Sequence, residues 1–129
     1  MIIDAHQHFW KPDRADYGWL TPELKTLYRD FLPSDLKPLL DSCGVEKTIL
    51  VQAAPTEAET HFMLGLAKND DFIAGVVGWT DLESETVAEA TAAPAENKFL
   101  VGLRPMVPDL ADDKWPGQQS PATASESMI

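Results

Sequence analysis

The chain has 129 residues, enough for one domain around one hydrophobic core. Its formal net charge is −11 and it carries no lysine- or arginine-rich run, which excludes the cationic face that nucleic acids or anionic membrane surfaces require. The longest near-apolar run, FIAGVVGW, is far too short to span a bilayer. The N-terminus has Asp4 in its first few residues and lacks the basic start and apolar core of a signal peptide, so a cytoplasmic protein is expected. Cys43 is the single cysteine and cannot form an internal disulfide. It occupies an apolar helical position and is expected to be a buried, inert thiol.

Along the chain, apolar β-branched stretches alternate with helical ones. MIIDAH is expected as the first strand, followed by a long insertion over residues 9–33 that holds Trp10, Tyr17, Trp19, Tyr28 and Phe31. Insertions of that length inside a compact domain are usually functional, and this aromatic content favours an ordered lid or substrate wall. SDLKPLLDSCG then places Leu36, Leu39, Leu40 and Cys43 on one helical face, with Ser34 to cap its start and Gly44 to close its end. Pro38 lies deep for a first-turn proline, so a late start or a bend is expected.

KTILVQAA is the second strand. In TEAETHFMLGLAKND, Thr56 and Glu59 have capping-box spacing, and Ala58, Phe62, Met63, Leu66 and Ala67 make the expected buried stripe. FIAGVVGW is the third strand, SETVAEATAAPAEN a weakly amphipathic helix broken by Pro94, and FLVGLRP the fourth strand, ended by Pro105. After Trp115 the sequence becomes small, polar and proline-bearing, as in a disordered tail. The order β-loop-α-β-α-β-α-β is that of right-handed βαβ units in an α/β fold, and the near-continuous apolar strands suit a parallel sheet covered on both faces.

Ligands of such folds gather at the carboxyl ends of the strands. Those ends present His6 and His8, Gln52, Trp79 to Asp81, and Arg104. On a strand Asp4, His6 and His8 leave the same face, so two imidazoles can meet one divalent cation. Catalytic zinc takes three protein ligands and one open position for water, and His6 and His8 supply two. His61 lies on a helix beside the buried stripe and is expected to face solvent. Arg104 is suited to clamp a substrate carboxylate or a developing oxyanion, against the plainer alternative of a surface ion pair. Gln52 and Trp79 read as wall residues.

With these residues in hand, the chain resembles the amidohydrolase-related family, and within it the sugar-lactonase branch of fuconolactonase- and rhamnonolactonase-like proteins. The resemblance is carried in family order by IDAHQHFW, YGWL, RDFLPSDL, ILVQAAPTEAET, IAGVVGWTDLES, LVGLRPM and DLADDKW, from residue 2 to about 115. It implies a TIM barrel that hydrolyses a sugar-acid lactone or similar cyclic ester by metal-assisted attack of water. It assigns His6 and His8 to the active-site centre as catalytic groups and metal ligands. Arg104 is then a substrate-binding group, with Gln52, Trp79 and Trp10 lining the substrate, and the cofactor is a divalent metal, zinc first. Some relatives work without a metal, and there the same histidines and arginine would polarise the carbonyl directly.

A (β/α)₈ barrel takes roughly 250 residues, and this sequence shows four strands. The expectation is therefore a partial TIM barrel of about four βα units, over residues 1–115, with a non-family tail over 116–129. A half barrel leaves two sheet edges and its inner face open, and pairing with a second copy as a homo-oligomer would cover them. Such a chain is expected to lack an intact catalytic site. The competing readings are a non-catalytic partial barrel or assembly module, and a small doubly wound α/β domain binding an anionic ligand. The last is weakened because no glycine-rich loop follows the first strand.

Overall fold

The computed structural model describes residues 1–83, 85 and 96–105. Four strands form one sheet: β1 (Ile3–Gln7), β2 (Lys47–Val51), β3 (Ile73–Gly78) and β4 (Leu100–Leu103). Among the described residues two α-helices connect them, α1 (Pro33–Cys43) between β1 and β2, and α2 (Glu57–Asn69) between β2 and β3. The sheet order is β1-β2-β3-β4, with every neighbouring pair parallel. That sequential order is a barrel's order, and it rules out the doubly wound alternative, whose strand order reverses at a switch point. The helix expected around 84–97 falls almost wholly outside the described residues, and the tail from 116 entirely so.

The core lies between the sheet and the helices. Phe9, Leu40, Leu50, Met63, Leu64, Ala67, Phe72, Ile73 and Val76 form its buried cluster. Fully burying a Leu, Ile, Val or Met is worth about 1.5–3 kcal/mol each, so Leu50, Met63, Ile73 and Val76 hold the two inner strands to α2.

The helices depart from expectation in ways the packing explains. α1 starts at Pro33, where the fixed proline φ suits the first helical position, and runs on through Pro38. Its start is capped by the Asp35 carboxylate, which accepts the Leu32 amide at 2.9 Å, so Ser34 is inside the helix and not its cap. Gly44 closes the helix at φ 71°, as expected. Of the four apolar positions on α1, Leu40 is buried and Leu36 half-buried, whereas Leu39 is 62 % exposed and Cys43 is exposed. The helix meets the sheet along a narrow line, and the expected buried thiol is on the outside.

α2 is rotated relative to the expected stripe. Glu59, Thr60, Met63, Leu64 and Ala67 are buried, Phe62 and Leu66 are half-buried, and Ala58 is exposed. Two polar side chains thus replace two apolar ones in the interface, because each has a fixed partner inside. Thr60 Oγ1 accepts the Trp79 amide at 2.9 Å and donates to the Trp79 carbonyl at 2.7 Å. Gly78 permits that approach: a Cβ there would meet Thr60 Cγ2 at 2.8 Å.

Candidate functional site

The site is built at the carboxyl ends of the strands. The β1–β2 register shifts between Asp4 and Gln7, an irregularity of the kind that re-aims side chains. His6 and His8 converge there, with rings edge-on at 4.9 Å between centroids and Nε2 atoms 3.2 Å apart. Asp4 turns onto the backbone, its Oδ1 accepting the His6 amide at 3.1 Å.

His8 Nδ1 lies 2.8 Å from the Val51 carbonyl oxygen. A carbonyl only accepts, so Nδ1 carries the proton and Nε2 of the neutral ring presents its lone pair toward His6. Burial lowers the His8 pKa; the Val51 carbonyl opposes that shift, and the nearby His6 and Arg104 charges add to it. His8 is therefore held neutral, the form in which imidazole ligates a metal. Two nitrogens bound to one tetrahedral zinc at about 2.0–2.1 Å stand roughly 3.3 Å apart, so the observed spacing and tautomer fit a shared divalent cation. Among the described residues no group of three or more His, Cys, Asp or Glu side chains could hold a metal, so the pair stands without a third ligand there.

Arg104 and Gln52 close the other side. The Arg104 amide donates to the Gly78 carbonyl at 2.9 Å, and its Nη2 donates to the Gln52 carbonyl at 3.0 Å. Gln52 Nε2 returns a bond of 3.2 Å to the Arg104 carbonyl. His8 and Arg104 thereby grip consecutive carbonyls, Val51 and Gln52, at the end of β2. Gln52 is fully buried, its Oε1 has no partner among the described residues, and neither has the buried Arg104 Nε. Burial holds the Arg104 guanidinium below its usual pKa. Among the described residues Arg104 forms no ion pair, the plainer alternative for it.

The insertion supplies an aromatic wall. Trp10 packs edge-on against Trp19 at 5.3 Å and at a tilt against Phe31 at 4.8 Å, and its backbone pairs with that of Phe31. Trp10 Nε1 donates to the Leu27 carbonyl and Trp19 Nε1 to the Ala53 carbonyl, at 2.9 and 2.8 Å. Trp10 also packs on a second buried cluster, Tyr17 and Leu20 from the insertion with Ala53 and Ala54 from just after β2. Trp79 is half-buried at the end of β3 and takes no part in these aromatic contacts. His61 is exposed on α2, as expected.

Sequence reasoning missed the group beneath the wall. The Glu59 carboxylate is fully buried and accepts from Arg14 Nη1 (2.7 Å), Tyr17 Oη (3.1 Å) and the Ala53 amide (2.7 Å). Its capping-box spacing with Thr56 is half used: the Thr56 hydroxyl accepts the Glu59 amide at 3.0 Å, but the Glu59 side chain points inward. The capping spacing was the one available signal, and it suggested the wrong partner.

Comparison with known proteins places these features. The amidohydrolase family is matched over residues 3–124. An L-fucono-1,5-lactonase from Burkholderia ambifaria is 46 % identical over 113 residues, covering 88 % of this chain and 39 % of that protein. One from Burkholderia multivorans is 43 % identical over 110 residues, covering 85 % and 37 %. Crystal structures of an amidohydrolase from Burkholderia multivorans, one with bound zinc and one with bound HEPES, superpose with TM-scores of 0.76 and 0.78 at 41 % identity. Each match covers 87 % of this chain and 39 % of that one. The chain therefore spans about two fifths of the length of these relatives, and its parallel sheet is part of their barrel. With the match running across nearly all of its length, the chain belongs to the amidohydrolase family.

Proposed function

We propose that the chain carries the strand-one half of a hydrolase site that opens a sugar-acid lactone or similar cyclic ester, in the cytoplasm. The observation that carries this reading is the His6–His8 pair, with Nε2 atoms 3.2 Å apart and the His8 tautomer fixed by Val51. The lactonase relatives and the zinc in a similar structure support the substrate class and the metal. His6 and His8 are the residues that would hold the cation, zinc first.

When bound, such a cation supplies Lewis acidity toward the lactone carbonyl and a water of lowered pKa. The chain's own groups do the rest. His8, neutral and locked at Nδ1, keeps its Nε2 aimed at the reacting centre. Arg104 offers positive charge, and an Nε–H without a partner among the described residues, to the oxygen that becomes negative as water adds to the carbonyl carbon. Gln52 Oε1 is a buried acceptor for a hydroxyl of the substrate. Trp10 and Trp79 form walls. Cleavage of the ring C–O bond then leaves a carboxylate and a free hydroxyl.

A second reading has its own observation. With only two ligands among the described residues, the chain would be a non-catalytic partial barrel. One experiment separates the two: zinc binding by calorimetry, then lactone hydrolysis followed by proton release, on the chain and on His6→Ala and His8→Ala variants. Zinc uptake near one per chain with turnover, both lost in the variants, supports the hydrolase. Histidine-independent metal and no turnover supports the partial barrel. Light scattering on the same samples reports whether zinc uptake coincides with a homo-oligomer.

A further inference from the structure

We propose that Glu59 is a positioning residue for the aromatic wall, acting through Arg14 and Tyr17; this rests on the functional reading above. Both oxygens of the Glu59 carboxyl are occupied by protein donors. It is fully buried, and its two oxygens already accept three bonds from Arg14, Tyr17 and the Ala53 amide. Burial pushes the Glu59 pKa up, and the Ala53 amide, Arg14 and Tyr17 oppose that shift, so the carboxyl keeps its charge only while these donors stay in place. It therefore fixes them, and each donor leads to the wall.

The first path runs through the insertion. Arg14 Nη2 binds Asp16 Oδ2 at 2.8 Å, which also accepts from Thr56 Oγ1 at 2.6 Å, so residues 14–17 are pinned to the start of α2. The Arg14 guanidinium lies 4.4 Å from the centre of the Phe62 ring, which holds its plane. Tyr17 contacts Trp19 at 6.1 Å between ring centroids, and Trp19 contacts Trp10. The second path runs through Ala53. Glu59 holds the amide of Ala53, and Trp19 Nε1 binds its carbonyl, so one residue next to Gln52 is held by both. A fork-shaped donor is needed, because Nη1 and Nη2 of Arg14 serve Glu59 and Asp16 at once.

The latch is tested on the full chain with 5-fluorotryptophan and fluorine NMR, in a Trp115→Phe background, with resonances assigned by Trp→Phe replacements. Glu59→Gln and Arg14→Lys are expected to move or broaden the Trp10 and Trp19 resonances and leave that of Trp79, which Thr60 holds. Tyr17→Phe, which removes the hydroxyl's bonds to Glu59 and Arg14 and keeps the ring, serves if either variant fails to fold. In the lactone assay KM is expected to rise about tenfold with kcat nearly unchanged, since the wall binds the substrate without touching the reacting bond. Unmoved Trp10 and Trp19 resonances in the folded variants, or equal movement of all three, overturn the latch. Absence of lactone turnover in the unmutated chain overturns the functional reading alone, and the fluorine spectra still decide the latch.

Discussion

Gly78→Ala probes how closely α2 must approach the strand ends that carry the site. Gly78 has no left-handed backbone, so the cost is steric. An added Cβ would stand 2.8 Å from Thr60 Cγ2, 3.0 Å from Thr60 Oγ1 and 3.2 Å from Leu100 Cδ1. Overpacking of a filled interior costs about 1–3 kcal/mol. The Thr60 hydroxyl cannot retreat freely, because it holds both the amide and the carbonyl of Trp79, and each such bond is worth about 0.5–1.5 kcal/mol net. The expected loss is about 2–4 kcal/mol, which at a mid-range urea m-value of about 2 kcal/mol/M moves the midpoint by about 1–2 M. Two other glycines calibrate the result. At Gly102 the nearest atom to a new Cβ is 3.7 Å away, so Gly102→Ala should stay within about 0.5–1 kcal/mol of the parent. At Gly75 the new Cβ would press on the Val101 methyls at 2.9 and 3.0 Å, but Val101 is 60 % exposed and can turn, for about 0.5–1.5 kcal/mol. Thr60→Ser removes the nearest methyl and should restore part of the Gly78→Ala loss. Urea unfolding followed by circular dichroism measures all four. A Gly78→Ala midpoint equal to that of Gly102→Ala would refute the close approach of α2.

Two further predictions follow from burial and charge. Because the folded chain holds His8 below its ordinary pKa of 6.5, it binds that proton less readily than the unfolded chain does. The associated stability is complete above pH 6.5 and is lost as pH falls through the lowered value. With a chelator present, the urea midpoint should therefore drop from pH 7.5 to 5.5 by more in the parent than in His8→Gln; an equal drop sinks the assignment. On α1, Leu40→Ala should cost about 2–5 kcal/mol by leaving a cavity in the buried cluster, whereas Leu39→Ala should cost less than about 0.5 kcal/mol. Equal losses would mean that the helix packs on a different line.

The strands and the histidine pair were legible because their signals are local. Apolar β-branched runs between glycines and caps place β1 to β4 within a few residues, and period-two alternation alone puts His6 and His8 on one face. The strand-end positions of Arg104 and Gln52 followed from the order of strands and helices. What escaped the sequence depends on partners far along the chain. Glu59 and Thr60 look like the exposed face of an amphipathic helix, since a periodicity argument sends polar side chains outward. They turn inward because Arg14 lies 45 residues away and Trp79 lies 19 residues away, each with matching hydrogen-bonding groups. The same limit explains Cys43 and Leu39: spacing marks four apolar positions on α1, but the width of the contact is set by the surface it meets. This divides the proposed site physically. Its chemical centre is written in residue type and strand period, while the geometry of its aromatic wall is set by a buried carboxylate whose role appears only once three distant segments are brought together.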